Sequence, residues 1–237
     1  MTVVVLQHVD CEPAAAYADA LREQGVAVET VDAAEAPWPL DPARFDGVVA
    51  MGGPMGVNDG GLLPWIDEER RFIGDAVRAG TPVLGVCLGA QLLAASLGAA
   101  VVGGPLPEIG VRPVFRHGDA DGDPLLGRLP ASFPALHWHS DTFELPAGAT
   151  LLASSEAYPN QAFRVGTTAY GIQFHLEADA ALVRRWAEVS EYRDSLARVG
   201  GVAALPELIA DVERHEAEMQ RLAHDVMSAW VARCLAR

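Results

Sequence analysis

The sequence predicts an α/β fold: a three-layer sandwich with a central, mostly parallel mixed sheet, helices on both faces and a helical C-terminal extension. Three observations carry that expectation. Up to Gly104, apolar runs of strand length alternate with helix-period segments, the pattern of βαβ crossovers. Beyond Gly104, short strand candidates are separated by Gly, Pro and Asp turns, which extends the sheet in antiparallel fashion. After Ala178 the chain turns helical to its end.

The elements follow in order. Val3–Val9, rich in β-branched residues, is the first strand, and Ala14–Gln24, Ala-rich with charges to one side, is the first helix. Ala27–Val31 and Gly47–Met51 are further strands, the latter ending at Gly52-Gly53-Pro54. In Trp65–Ala79 the apolar Trp65, Ile66, Phe72, Ile73, Ala76 and Val77 recur near helical spacing among charges. Pro82–Val86 is a strand running straight into Cys87, and Ala90–Leu97 reads as a helix. Val111–Phe115, Leu151–Ala153, Ala162–Val165 and Tyr170–Phe174 are short strands, and Arg116–Phe133 is a polar, Gly/Asp-rich loop. Pro206 opens a helix in which Leu208, Val212, Met219, Leu222, Val226, Trp230 and Cys234 recur at helical spacing. Such a stripe packs on the chain's own core or, as the alternative, forms a subunit interface.

Composition narrows the function classes. Half of the 237 residues are apolar and 21% are charged, which supplies a sizeable core and no signature of disorder. Seventeen basic residues, all Arg, against thirty-two acidic ones give a net charge of −15. A surface this negative repels phosphate backbones and anionic lipid, so neither nucleic acid nor a membrane is an expected partner. The uncharged stretch Ala79–Pro107 has the length of a membrane span, but Pro82, Gly85, Gly89, Gly98 and Gly103-Gly104 cut it into a strand–turn–helix unit. The N-terminus meets His8 and Asp10 without the basic region of a signal peptide. Cys11, Cys87 and Cys234 are odd in number and widely spread, which points to a reducing cytoplasm rather than a disulfide framework.

The sharpest local feature is Gly85-Val86-Cys87-Leu88-Gly89-Ala90-Gln91, a nucleophile flanked by small residues between a strand and a helix. A tight turn there lifts the nucleophile out at the end of the sheet. A helix beginning just after Cys87 sets its free N–H groups beside the sulfur, which favours the reactive thiolate. Cys11 and Cys234 lack such flanks and read as core residues. A cysteine nucleophile needs a base, and in extended chain His175 and Glu177 share one face, so the carboxylate orients the imidazole. Met51-Gly52-Gly53-Pro54 follows a buried strand, and an N–H from it together with that of Leu88 forms a two-donor oxyanion hole. His215 and His224 lie in the polar part of the helical tail. His137-Trp138-His139 has a two-ligand metal spacing, but no Cys or carboxylate cluster visibly completes it, and neither a metal nor a cofactor is expected.

In this order, Gly52-Gly53-Pro54, the Gly85–Gln91 elbow and Gly171-Ile172-Gln173-Phe174-His175-Leu176-Glu177 resemble the class I (triad) glutamine amidotransferases. His137–Phe143 and Pro159–Arg164 resemble the free-standing branch related to the glutaminase domain of GMP synthetase. The likeness spans residues 1–180, implying a flavodoxin-like amidotransferase domain there and a helical extension over 181–237 packed on it. It implies that Cys87 attacks the glutamine side-chain amide, His175 shuttles the proton and Glu177 orients His175. Gly53 and Leu88 would hold the oxyanion, while Gln91 and the backbone around His139 and Ser140 grip the amino-acid end. Two departures stand out: Leu176, where many members carry Pro, and Ser140, where Gly is common. Three readings stay open. The chain is a glutamine hydrolase feeding ammonia to a separate synthetase or acceptor enzyme, a γ-glutamyl peptidase or hydrolase, or a non-catalytic interaction protein.

Overall fold

The computed structural model describes residues 1–236. In chain order its elements are β1 (Thr2–Gln7), α1 (Ala15–Glu23), β2 (Ala27–Asp32), β3 (Gly47–Ala50), α2 (Pro64–Arg78), β4 (Val83–Val86), α3 (Leu88–Ser96) and β5 (Val101–Arg116). There follow β6 (Ser132–Phe143), β7 (Thr150–Ser154), β8 (Ala162–Val165), β9 (Ala169–Ile172), α4 (Ala180–Trp186), α5 (Ser190–Val199) and α6 (Leu205–Leu235). The strands form one nine-stranded sheet in the order β2-β1-β3-β4-β9-β8-β7-β5-β6. From β2 to β9 neighbours run parallel, and from β9 outward to β6 they run antiparallel. The mixed α/β sheet with a helical C-terminus is the expected architecture.

Strand periodicity divides the core. Val3 and Val5 of β1 face one side, with Val49 and Leu84, under α1, α4 and α6. Val4 and Leu6 face the other, with Val48 and Val83, under α2 and α3. Burial on both faces is why these strands read as unbroken apolar runs. β2, at the sheet edge, carries Glu29 and Asp32 and is largely exposed, which discourages further pairing.

The apolar stripe of α6 is buried from Leu208 through Trp230 to Cys234. Gly47 at the start of β3 makes room for it, since a Cβ there would lie 2.5 Å from the Trp230 ring. The helix has no side-chain cap at its N-terminus. A cap contributes about 1 kcal/mol, whereas each buried large apolar side chain contributes about 1.5–3 kcal/mol. Packing therefore decides where α6 lies. Among the described residues no helix is long and apolar enough to cross a membrane.

Two expectations need revision. β5 begins at Val101 rather than at Val111, runs through Gly103-Gly104-Pro105-Leu106-Pro107 and pairs with β6 as a long ribbon. Its register shifts between Gly103 and Glu108, because proline offers no N–H to a ladder and the surplus residues bulge out. The Arg116–Phe133 loop is anchored rather than merely solvated. Asp123 accepts hydrogen bonds from the Leu125 and Leu126 N–H groups (2.9 and 3.0 Å) and from Arg164 (2.9 Å), and Leu125, Leu126 and Leu129 are buried.

Candidate active site

Cys87 sits between β4 and α3 with φ +53° and ψ −110°, a conformation that costs a non-glycine residue energy and persists only where the surroundings impose it. The surroundings here are tight. A Cβ on Gly85 would strike the Gly89 carbonyl, and one on Gly89 would strike the Ala50 carbonyl of β3. The Cys87 N–H donates to the Ile172 carbonyl at 2.8 Å, tying the elbow to the strand that leads to His175.

His175 is held from both directions along the backbone: its N–H donates to the Leu136 carbonyl (2.8 Å) and its carbonyl accepts from Leu136 (3.0 Å). Its Nδ1 lies 2.6 Å from Glu177 Oε1, while Glu177 Oε2 accepts from the Leu176 N–H at 3.0 Å. Nδ1–H thus donates to the carboxylate, and Nε2 is left for the Cys87 sulfur, whose charge acts on the imidazole. Burial alone would lower the His175 pKa, but the Glu177 carboxylate and the Cys87 sulfur raise it well above the ordinary imidazole value. Trp186 of α4 packs edge-on against the ring at 4.9 Å.

A second histidine–glutamate pair lies across the elbow. His8, at the end of β1, has Nε2 2.9 and 3.0 Å from the two Glu69 oxygens and Nδ1 2.9 Å from the Gly52 carbonyl, and both side chains are wholly buried. Both acceptors require N–H donors, so His8 carries two protons. Burial would lower its pKa, and Glu69 overrides that and raises it. Because the peptide unit is planar and trans, fixing the Gly52 carbonyl also fixes the Gly53 N–H, which points the opposite way. Gly53, Cys87 and Leu88 all line the same cleft. Neither His8 nor Glu69 was expected to matter to the site. The signal lay in α2, where Glu69 interrupts the apolar face formed by Ile66, Phe72 and Ile73.

Glu12 is the third buried carboxyl beside this centre. It rests against Gly52, where an added Cβ would strike its carboxylate and lie 3.2 Å from His175 Cε1. Its Oε1 has no hydrogen-bond partner. Burial raises its pKa to about 7, against the pull of His175.

The cleft over Cys87 has a volume of about 210 Å³. Of the residues expected to grip substrate, all three line it. The Gln91 amide donates to the Asp141 carbonyl (3.3 Å) and to Gln173 Oε1 (3.1 Å), which holds its oxygen in place. The His139 ring is already engaged, with Nδ1 3.0 Å from the Asp141 carbonyl and Nε2 3.1 Å from Glu108. Ser140 Oγ lies 3.5 Å from Arg198. The opposite wall was not foreseen: Glu191, Tyr192, Ser195 and Arg198 of α5 line the cleft, and Trp138 Nε1 donates to Ser195 Oγ at 2.9 Å.

One further correction concerns metal ligands. A carboxylate does complete the His137-Trp138-His139 set: Glu108, which β5–β6 pairing places opposite His139. One ligand atom from each of Glu108, His137 and His139 lies within 4.8 Å of the others. The meeting is invisible in sequence spacing because a strand pairing creates it. Burial opposes ionisation of Glu108, but His137 and His139 outweigh it and hold the carboxyl well below the usual carboxylate range. Cys11 and Cys234 are buried, as expected, and His224 is exposed on α6.

Residues 8–183 match the family model for glutamine amidotransferase class-I. The chain is 35% identical to the glutamine amidotransferase-like protein YfeJ of Salmonella typhimurium over 75% of this chain and 76% of that protein. It is 34% identical to one subunit of the glutamine-hydrolysing GMP synthase of Natronomonas pharaonis over 67% of this chain and 78% of that one. Among solved structures, a glutamine amidotransferase from Thermotoga maritima superposes with a TM-score of 0.85 at 31% identity, covering 98% of each chain.

Proposed function

The chain belongs to the class-I glutamine amidotransferase family, and on that premise we propose that it hydrolyses the side-chain amide of glutamine through a γ-glutamyl thioester on Cys87, passing the ammonia to a separate acceptor enzyme. The observation that carries this reading is the strained Cys87 at the head of α3, lining the cleft and acting electrostatically on a His175 that Glu177 orients at 2.6 Å.

The Cys87 thiolate attacks the amide carbon, and the carbonyl oxygen becomes an oxyanion received by the N–H groups of Gly53 and Leu88. Leu88 opens α3, so its N–H has no carbonyl one turn earlier to bond. His8 and Glu69 keep the Gly53 N–H aimed without entering the reaction. As the tetrahedral intermediate collapses, the C–N bond breaks, His175 Nε2–H gives its proton to the leaving nitrogen, and ammonia departs. Neutral His175 then takes a proton from water, whose oxygen attacks the thioester carbon. Glutamate leaves, the C–S bond breaks and thiolate and imidazolium are restored. Gln91 and the backbone at His139 and Ser140 hold the amino-acid end. Relatives that are single subunits of a glutamine-hydrolysing GMP synthase support an acceptor enzyme on another chain.

A second substrate, a γ-glutamyl peptide, yields the same thioester with an amino acid or peptide as the leaving group. The charged Glu191 and Arg198 on the α5 wall of the cleft favour it, since they offer contacts beyond those a free glutamine needs. Glutamate release from glutamine and from γ-glutamyl dipeptides, measured side by side, separates the two. Turnover on glutamine alone that vanishes in Cys87→Ala supports the first reading. Turnover on dipeptides with glutamine inert supports the second. Equal release by wild type and Cys87→Ala defeats both.

A further inference from the structure

One buried cluster takes no part in that chemistry. We propose that Glu108, His137 and His139 form a binding site for a single divalent transition-metal ion of the zinc class, held through His137 Nδ1, His139 Nε2 and a Glu108 carboxylate oxygen. His137 Nδ1 and His139 Nε2 stand 3.3 and 3.1 Å from the same Glu108 oxygen. Those are the separations of neighbouring ligand atoms around one tetrahedral ion with bonds of about 2.0–2.1 Å.

Hydrogen bonding points the same way. His137 is wholly buried, its Nδ1 has only the Glu108 oxygen at 3.3 Å, and its Nε2 has no hydrogen-bond partner among the described residues. A buried imidazole with so little hydrogen bonding is costly, and a metal bond at Nδ1 is one way to relieve it. The Nδ1 of His139 faces the Asp141 carbonyl at 3.0 Å and therefore bears the proton. Its Nε2 lies 3.1 Å from the Glu108 carboxylate oxygen, so the position between them takes either a proton or a metal ion. A divalent cation there displaces the proton and replaces one hydrogen bond with two metal bonds. Donation of the distal N–H to a backbone carbonyl is also how metal-bound histidines are usually held. The Gln161 amide donates to the same Glu108 oxygen at 2.7 Å and lies 3.4 Å from His139 Nε2, fixing the carboxylate beside the site. Two imidazoles and one carboxylate suit zinc, cobalt or nickel and not the all-oxygen preference of magnesium or calcium. Since His139 lines the catalytic cleft, an ion here would clamp the β5–β6 ribbon into the cleft wall, a positioning role rather than a catalytic one.

The test must keep zinc away from Cys87 and His175, which are themselves a thiolate–imidazole pair, so it is run in the full chain carrying Cys87→Ala. Metal-free protein incubated with zinc chloride and desalted should retain about one equivalent of zinc by elemental analysis. With cobalt chloride it should show the visible bands of a tetrahedral nitrogen–oxygen site and no near-ultraviolet thiolate band. Adding His137→Gln should weaken binding by at least the roughly 10–100-fold that loss of a mere outer partner causes. Should that double variant fail to fold, imidazole nitrogen resonances of Cys87→Ala decide: zinc should shift those of His137 and His139. No retained zinc overturns the proposal. So does a shift confined to His175, or a His139 ring that keeps protons on both nitrogens in the presence of zinc. None of these outcomes depends on turnover, so they leave the glutaminase reading to its own test.

Discussion

Two buried histidine–glutamate pairs flank the elbow, and they are alike in composition but opposite in use. His175 spends Nδ1 on Glu177 and keeps Nε2 for the Cys87 sulfur. His8 spends Nε2 on Glu69 and Nδ1 on the Gly52 carbonyl, so both its protons are committed. What a histidine can do is set by the nitrogen it has left. The first pair can exchange a proton with a reacting group, whereas the second is a fixed, charged bracket on the peptide that presents the Gly53 N–H.

The largest effect tests the centre that both pairs serve: Cys87→Ala should reduce glutamate release by roughly 10⁴-fold or more, since the covalent route disappears. His175→Ala should come close, at about 10³-fold or more, because the proton carrier is lost. His8→Ala should cost on the order of 10–100-fold in kcat, less than outright removal of an oxyanion donor. It should also leave the alkylation rate of Cys87 by iodoacetamide near the wild-type value, while His175→Ala slows that alkylation. If His8→Ala slows alkylation equally, the distinction between the pairs collapses. Glu177→Ala should leave measurable turnover, an orienter being more dispensable than the base it orients.

Glu12, lying against Gly52 and close to His175, gives the smallest and sharpest test, on stability. Its pKa is raised to about 7 in the folded chain, so between the ordinary carboxylate range and about pH 7 the folded state binds more protons than the unfolded one. Stability therefore falls as pH rises through that window, by up to about 3 kcal/mol from this group. Glu12→Gln mimics the protonated form and should raise the denaturation midpoint at pH 8 while matching wild type near pH 4. Equal midpoints at pH 8 would mean that Glu12 ionises without penalty.

The parallel half of the sheet was legible because strands buried on both faces carry unbroken apolar runs, and glycines mark the turns that need them. The elbow was legible for the same reason, since Gly85 and Gly89 flank Cys87 in sequence as they do in space. The antiparallel ribbon hid itself: Pro105 and Pro107 argue for a turn, and only the pairing with β6 shows them riding on a bulge. Pairing likewise brings Glu108 to His137 and His139, and helix docking brings Glu69 to His8. Such contacts join residues with no shared periodicity, so spacing cannot announce them. The α5 wall was obscured for a related reason, as Glu191 and Arg198 look like any charged helix surface until the helix is seen over the cleft.

The most direct test of the central claim is the mass of the protein itself, acid-quenched during turnover with glutamine and digested. A γ-glutamyl adduct on the peptide bearing Cys87, absent from Cys87→Ala and lost as glutamine is exhausted, is the predicted result. Glutamate release that continues in Cys87→Ala with no adduct anywhere on the chain would contradict it.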